Sequence, residues 1–133
     1  IAFRGDSVCI GEDTYPGAGG VQIGKGAYGK NNNPNVAIGK DAEAGNTGIA
    51  IGQDADATGN GSAALGAFSI ANGVGAIALG SVSATTVDTV TMKLLQILNY
   101  ATMSFADDAA AATGGIPLGG VYHTAGALKI RIA

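Results

Sequence analysis

The chain is poor in the residues on which many protein classes depend. Its 133 residues include no Trp, and 5% are aromatic. Charged residues make up 13%, where about 25% is usual. The net charge of −3 offers no basic surface for nucleic acid. Apolar runs stay well below the ~20 residues that span a bilayer. We therefore expect no nucleic-acid partner and no membrane insertion.

Cysteine and proline are also scarce. The single cysteine, Cys9, rules out an internal disulfide, and Pro occurs 3 times. Glycine does not recur at every third residue, which excludes collagen. The apolar content of 47% with low charge is not typical of disorder. The chain starts at Ile1 rather than at Met, and we interpret it as a processed or partial product.

Glycine, by contrast, is abundant, and it marks a repeat. Six tetrapeptides of apolar residues close with glycine, and these glycines are 13, 15, 13, 14 and 14 residues apart. The six copies are Val8-Cys9-Ile10-Gly11, Val21-Gln22-Ile23-Gly24, Val36-Ala37-Ile38-Gly39, Ile49-Ala50-Ile51-Gly52, Ala63-Ala64-Leu65-Gly66 and Ile77-Ala78-Leu79-Gly80. A second half with alternating small residues follows each copy, as at Ala42 and Ala44.

Period-2 alternation predicts two short strands per repeat. The first strand has bulky residues on one face and small ones on the other, interrupted at Gln22. The second has Ala inside and acids outside, at Asp41, Glu43, Asp54 and Asp56. The fold class is therefore mainly β, a parallel β-roll (β-solenoid) of ~14-residue repeats stacked at roughly 4.8 Å.

The first strand is apolar on both faces, and such strands are usually buried on both faces. Its bulky face therefore needs a cover. The same face of identical chains, related by cyclic symmetry, is the simplest cover. A homotrimer is our first choice, since three narrow rolls close around one axis without a hole. The sequence does not exclude a dimer.

The repeat resembles the head repeats of trimeric autotransporter adhesins, the YadA-like heads. The pattern that carries it is Val36-Ala37-Ile38-Gly39, then Ala42-x-Ala44 and a glycine, and the likeness covers residues 8–83 and is best over 36–80. It implies a left-handed, homotrimeric β-roll that binds surfaces or matrix proteins. The first two coils depart from the pattern, where Tyr15-Pro16 and Asn31-Asn32-Asn33-Pro34 enlarge the turns.

After Ser83 the apolar period changes. Steps of 3 and 4 through Val87, Val90, Leu94 and Ile97 predict an amphipathic helix over 86–101. We divide the chain into a β-roll domain (1–84), a short helical neck (85–103) and a small α+β C-terminal cap with a β-hairpin (104–133). In the cap, Ser104 begins a capping-box-like start, and Gly114-Gly115 ends the helix.

The tail also resembles a known module. Phe105-Ala106-Asp107-Asp108, Gly114-Gly115-Ile116-Pro117, Gly119-Gly120-Val121-Tyr122 and Lys129-x-Arg131 are similar to a C-terminal module of tailed-bacteriophage head or tail fibres and decoration proteins. The resemblance covers residues 100–133. It implies a trimerising or capping unit on a fibre, and no chemistry.

The sequence offers no catalytic or cofactor-binding set. His123 is the single histidine and lies beside a predicted hairpin turn, where a packing role is expected. Cys9 lies on the face of the first strand that carries small residues, and we expect it to be a small, buried hydrophobic residue. Asp41 with Asp54, and Glu43 with Asp56, are 13 residues apart and should stack on adjacent coils. Ca²⁺ could bridge them, but a solvated acidic row relieved by Lys40 is the favoured interpretation.

Together these patterns predict a non-enzymatic structural fibre or decoration protein of a bacteriophage virion. The trimeric rod would lie on the virion surface, contact other virion proteins and attach to a host-cell receptor. Receptor contact is expected at the enlarged turns at Tyr15 and at 31–34, or on another part of the particle. The alternative is the head domain of a bacterial trimeric adhesin, on the bacterial cell surface.

Two further classes fit the sequence poorly. An ice- or crystal-surface binder needs outward Thr rows, and a depolymerase needs paired acids in a groove. The predicted outward residues are instead acids on a convex rod. The low aromatic content also favours a rod over a carbohydrate pocket.

Overall fold

The computed structural model describes residues 6–31, 33–93 and 100–132. The chain is mainly β and divides into two compact units, Ile1–Leu94 and Leu95–Ala133. Over the described ranges, no helix is long and apolar enough to cross a membrane.

Short parallel strands build the first unit, numbered here in chain order. A seven-stranded sheet contains Val8–Ile10 (β1), Val21–Ile23 (β2), Val36–Ile38 (β4), Ile49–Ile51 (β6), Ala63–Leu65 (β8), Ile77–Leu79 (β10) and Val90–Met92 (β12). A five-stranded sheet contains Tyr28–Gly29 (β3), Glu43–Ala44 (β5), Asp56–Ala57 (β7), Ile70–Ala71 (β9) and Ser83–Ala84 (β11). From β2 to β12 the chain alternates between the sheets, so the predicted parallel β-solenoid is confirmed.

The interior of the solenoid is made of small side chains. Ala37 and Ala50 of the seven-stranded sheet and Ala44 and Ala57 of the five-stranded sheet have no exposed surface. Buried Ser62 and Ser69 hydroxyls donate to the carbonyls of Gly59 and Gly66 at 2.8 and 2.7 Å. Methyl groups and bonded hydroxyls let the two sheets approach closely, which produces the narrow roll expected from the sequence.

The corner after each long strand depends on a glycine and on the residue two positions later. Gly39 and Gly52 have φ of +139° and +142°, and a Cβ on Gly52 would overlap the Gly66 carbonyl of the next coil. Two residues later, Asp41 and Asp54 adopt φ of +54° and +52°. Aspartate tolerates this left-handed region better than most side chains. The corner geometry therefore explains both residue types.

The solenoid extends further than predicted. Ser83–Ala84 and Val90–Met92 form one more coil, in which Val90 pairs with Ile77 and Met92 with Leu79. The helix prediction is wrong for 86–93, because β-branched residues there continue the columns of the preceding strands. Residues 94–99 of that prediction lie outside the described residues, and Tyr100–Met103 is a 3-10 helix.

In the second unit, a short helix packs with a hairpin. Helix α1 spans Asp108–Thr113, and the antiparallel strands are Val121–Thr124 (β13) and Ala127–Ile130 (β14). The predicted hairpin is confirmed, as is the helix end at Gly114-Gly115. The predicted cap is wrong: the Asp107 carboxylate, not Ser104, accepts from the Ala110 N–H, at 2.8 Å. Ser104 instead pairs with His123 in an isolated parallel β-bridge.

Asp108 connects the helix of the second unit to its hairpin. One carboxylate oxygen accepts from the Tyr122 hydroxyl, and the other accepts from the Ile132 N–H at 2.9 Å. The hydrogen bond to Asp108 and the burial of the ring raise the pKa of Tyr122 to about 12. Arg131 Nη1 donates to the Ile116 carbonyl at 2.7 Å. This hydrogen bond holds the segment between α1 and β13 against the end of β14.

Candidate functional surfaces

The seven-stranded sheet presents a bulky apolar surface on its outer side, called here the apolar face. Its two columns follow the strand register and consist of Val8, Val21, Val36, Ile49, Ala63, Ile77 and Val90, and of Ile10, Ile23, Ile38, Ile51, Leu65, Leu79 and Met92. Ile49 and Ile51 are 41% and 40% exposed, and Val90 is 56% exposed. The largest aliphatic side chains of the solenoid thus lie outside its core.

The five-stranded sheet has a different outer side, called here the outer ladder. Its successive residues are Tyr15, Tyr28, Glu43, Asp56, Ile70 and Ser83. The tyrosines occupy the first two rungs and carboxylates the next two. Each of the first five residues follows its repeat glycine by four positions, so the sequence contained a signal for this column. That signal was missed, because Tyr15 was assigned to an enlarged turn.

The two tyrosines at the start of the outer ladder stack on each other. Their ring centroids are 5.1 Å apart with an interplanar angle of 24°. Backbone hydrogen bonds from Tyr15 N to Ala27 O (2.9 Å) and from Gly29 N to Tyr15 O (2.8 Å) fix this register. Tyr15 is 50% exposed and Tyr28 39% exposed. The stack therefore forms an aromatic platform open to solvent.

Two ion pairs link neighbouring coils, and one of them includes Glu43, on the rung after Tyr28. Lys30 Nζ lies 3.1 Å from Glu43 Oε1, and Lys25 Nζ lies 3.0 Å from Glu12 Oε2. The hydrogen bond to Glu43 and the charge of that carboxylate raise the pKa of Lys30. Further along, Asp56 Oδ1 is buried and accepts no hydrogen bond from the described residues.

The four acids considered for Ca²⁺ fall into two separate places. Glu43 and Asp56 are paired neighbours on β5 and β7. Asp41 and Asp54 are corner residues, so the prediction that all four lie on the outer side of the second strand is wrong for this pair. Lys40 pairs with Asp41 at 3.0 Å, and Asp41 raises the pKa of Lys40.

Lys30, rather than Lys40, pairs with Glu43. Across the ranges that the structure describes, no three His, Cys, Asp or Glu residues group as a metal site would require. The Ca²⁺ bridge stays the less favoured alternative to a solvated acidic row.

The break in the small row at Gln22 has a structural explanation. Its side chain is fully buried, and Nε2 donates to Asn35 Oδ1 at 2.7 Å. Cys9 Sγ lies 3.7 Å from Gln22 Oε1, and Cys9 is itself buried, as predicted. Gly20 and Gly29 provide the space, since a Cβ at either would lie 2.6 Å from Gln22 Nε2. This group is a satisfied polar part of the core.

Two further residues, His123 and Phe68, are notable for their burial or backbone conformation. His123 is 8% exposed, lies in β13 and pairs with Leu128, in agreement with a packing role. Phe68 occupies the corner position that other coils give to Asp41 and Asp54, with φ of +58° and 57% exposure. A large aromatic residue is rare in this backbone region, so Phe68 is a strained and exposed corner.

Comparison with known proteins gives no relative. The chain matches no family model, no curated protein and no solved structure.

Proposed function

We propose that this chain is a structural segment of a bacteriophage fibre or decoration protein. It assembles as a homotrimer and attaches the virion to a host surface. The observation that carries the proposal is the apolar face of the seven-stranded sheet. The two sequence resemblances described above suggest the virion setting and the number of copies.

The apolar face is long and continuous enough to be an assembly surface. Seven rungs at roughly 4.8 Å extend over about 29 Å, and both columns are apolar along this length. Monomeric proteins rarely expose a continuous apolar patch of this kind. The buried residues of the solenoid are mostly Ala, so its own core contributes few large side chains. Covering the apolar face supplies the missing hydrophobic stabilisation.

A second copy of the chain is the partner that fits best. Rotation about an axis parallel to the roll brings like rungs together, because each copy has the same 4.8 Å repeat. Three copies cover all apolar faces and leave the outer ladders on the outside.

The mass of the native species tests the assembly. We expect the wild-type chain to have the mass of a trimer in analytical ultracentrifugation, and Ile51→Lys to dissociate or precipitate it. Ile70→Lys is the matched control, because Ile70 is an outward isoleucine of the opposite sheet. A soluble wild-type monomer, or an equal loss of trimer in both variants, would contradict the proposal.

Attachment needs its own experiment. The isolated trimer should bind host cells and compete with the parent particle for adsorption. A trimer that neither binds cells nor competes would remove the attachment role and leave the structural role in place.

A further inference from the structure

We infer that the stacked Tyr15 and Tyr28, with the Lys30–Glu43 pair on the next rung, form a binding surface for an uncharged saccharide. This deepens the attachment role proposed above and rests on it, because it assigns a chemical class to the receptor. The low aromatic content of the sequence disfavours a carbohydrate pocket. In the structure, however, two of the 4 tyrosines lie together on one exposed sheet, which provides an aromatic surface despite the low content.

The aromatic part of the surface is suited to a sugar ring. A hexose has a face of C–H groups and a rim of hydroxyls. A tyrosine likewise combines an apolar ring with a polar hydroxyl at its tip. The 24° stack holds both rings in place. Backbone hydrogen bonds of Tyr15 fix the register of the two coils, and each ring restricts the other by stacking, so less side-chain entropy is lost on binding.

Hydrogen-bonding groups continue from the aromatic part along the same ladder. Tyr28 pairs with Glu43 and Glu43 with Asp56, so rings and carboxylates follow each other at rungs of roughly 4.8 Å. Lys30 donates hydrogen bonds, and the Glu43 carboxylate accepts them. From Tyr15 to Asp56 the ladder extends over about 14 Å. This length accommodates a short oligosaccharide rather than a single ring.

The charges favour an uncharged ligand. Lys30 is neutralised by Glu43, and the next rung carries the Asp56 carboxylate, so no excess positive charge remains on the ladder for sulfate or phosphate. Two tyrosine side chains are also much smaller than a protein interface, which buries about 800 Å² per partner. A ligand with alternating C–H faces and hydroxyls fits better than a polyanion or a protein.

Tyrosine labelling gives a direct test on the full chain. With ring-labelled tyrosine, NMR titrations with maltohexaose, cellohexaose and chitohexaose report Tyr15 and Tyr28 beside the buried Tyr122 as internal reference. We expect at least one of these oligosaccharides to shift the Tyr15 and Tyr28 signals and to leave Tyr122 unchanged. Heparin hexasaccharide should give no such shift.

Variants locate the site. Tyr28→Ala should weaken binding about tenfold, whereas Tyr28→Phe should retain most of it. Phe68→Ala is the matched control, because it removes an exposed aromatic ring elsewhere on the solenoid. The inference is wrong if no neutral oligosaccharide shifts the two signals, if only heparin does, or if Phe68→Ala weakens binding as much as Tyr28→Ala.

The native mass of the same samples, measured by analytical ultracentrifugation, separates this inference from the proposed assembly. A trimer without saccharide binding overturns the binding surface alone. A monomer that still binds through Tyr28 overturns the trimer and supports the binding surface.

Discussion

The two sheets of the solenoid have nearly the same interior and different exteriors. Ala50 in one sheet and Ala57 in the other are both fully buried. On the outer side, the first sheet carries Ile49 and Ile51, whereas the second carries Tyr28 and Glu43. In both sheets the inward side chains must be small so that the two sheets can approach each other. The outward side chains are not under this steric constraint, so differences between the two outer sides indicate what each side contacts.

The largest expected effect breaks the shared interior. Ala50→Leu and Ala57→Leu should each lower the free energy of unfolding by about 3 kcal/mol, because neither sheet can move aside for a larger side chain. Urea denaturation measures both. Ala50→Cys is the control, since buried Cys9 already occupies the equivalent interior position of β1. A mild effect in one sheet only would show that the two interiors are not equivalent.

The corners between the sheets should come next. Gly52→Ala should cost about 2 kcal/mol, from its φ of +142° and from overlap with the Gly66 carbonyl. Gly80→Ala provides the comparison, because φ is +85° there and a Cβ would meet nothing within 4 Å. Thermal unfolding of both variants separates the two contributions, and equal losses would discount the overlap.

A corner substitution should stabilise the solenoid by a smaller amount. Phe68→Asp should raise the free energy of unfolding by roughly 0.5–1 kcal/mol, since Asp tolerates the left-handed backbone better than Phe. Phe68→Ala, which removes the ring and leaves the strain, should not give this gain. If Phe68→Asp destabilises the chain instead, the ring makes a contact that outweighs its strain.

The smallest effect is expected on the outer ladder. Lys30→Gln should leave the melting temperature nearly unchanged, because the Lys30–Glu43 pair is open to solvent and screened. The raised pKa of Lys30 means that its contribution is present below pH 10.5 and is lost as the pH rises above that value. The wild type and Lys30→Gln should thus converge at high pH. A large loss at pH 7 would show that the ladder supports the fold.

Much of the fold could be predicted from the residues. The repeated glycines marked the corners, and the alternation of Ala37 with Val36 and Ile38 marked which face is interior. The additional coil was missed because Val87 and Val90 also fit a helical period, and a short window does not distinguish the two periods. The helix cap was misplaced by three residues, since Ser104 and Asp107 are both good capping residues.

The candidate surfaces were predicted less completely. The apolar face followed from the bulky alternating residues, and its exposure in the single chain is as expected. The aromatic platform was not foreseen, because Tyr15 was assigned to an enlarged turn, although Tyr15 and Tyr28 each follow a repeat glycine by four positions. Asp41 and Asp54 were assigned to a strand because backbone conformation at a corner is not visible in residue alternation.

The local pattern of small, bulky and glycine residues was enough to specify a stacked, narrow β-solenoid, since periodicity directly encodes which side chains face inward. Tertiary structure decided which outward side chains contact each other across coils, such as the stacked rings of Tyr15 and Tyr28. Coils of 13, 14 or 15 residues reach the same register through different turns, so contacts between coils depend on three-dimensional stacking.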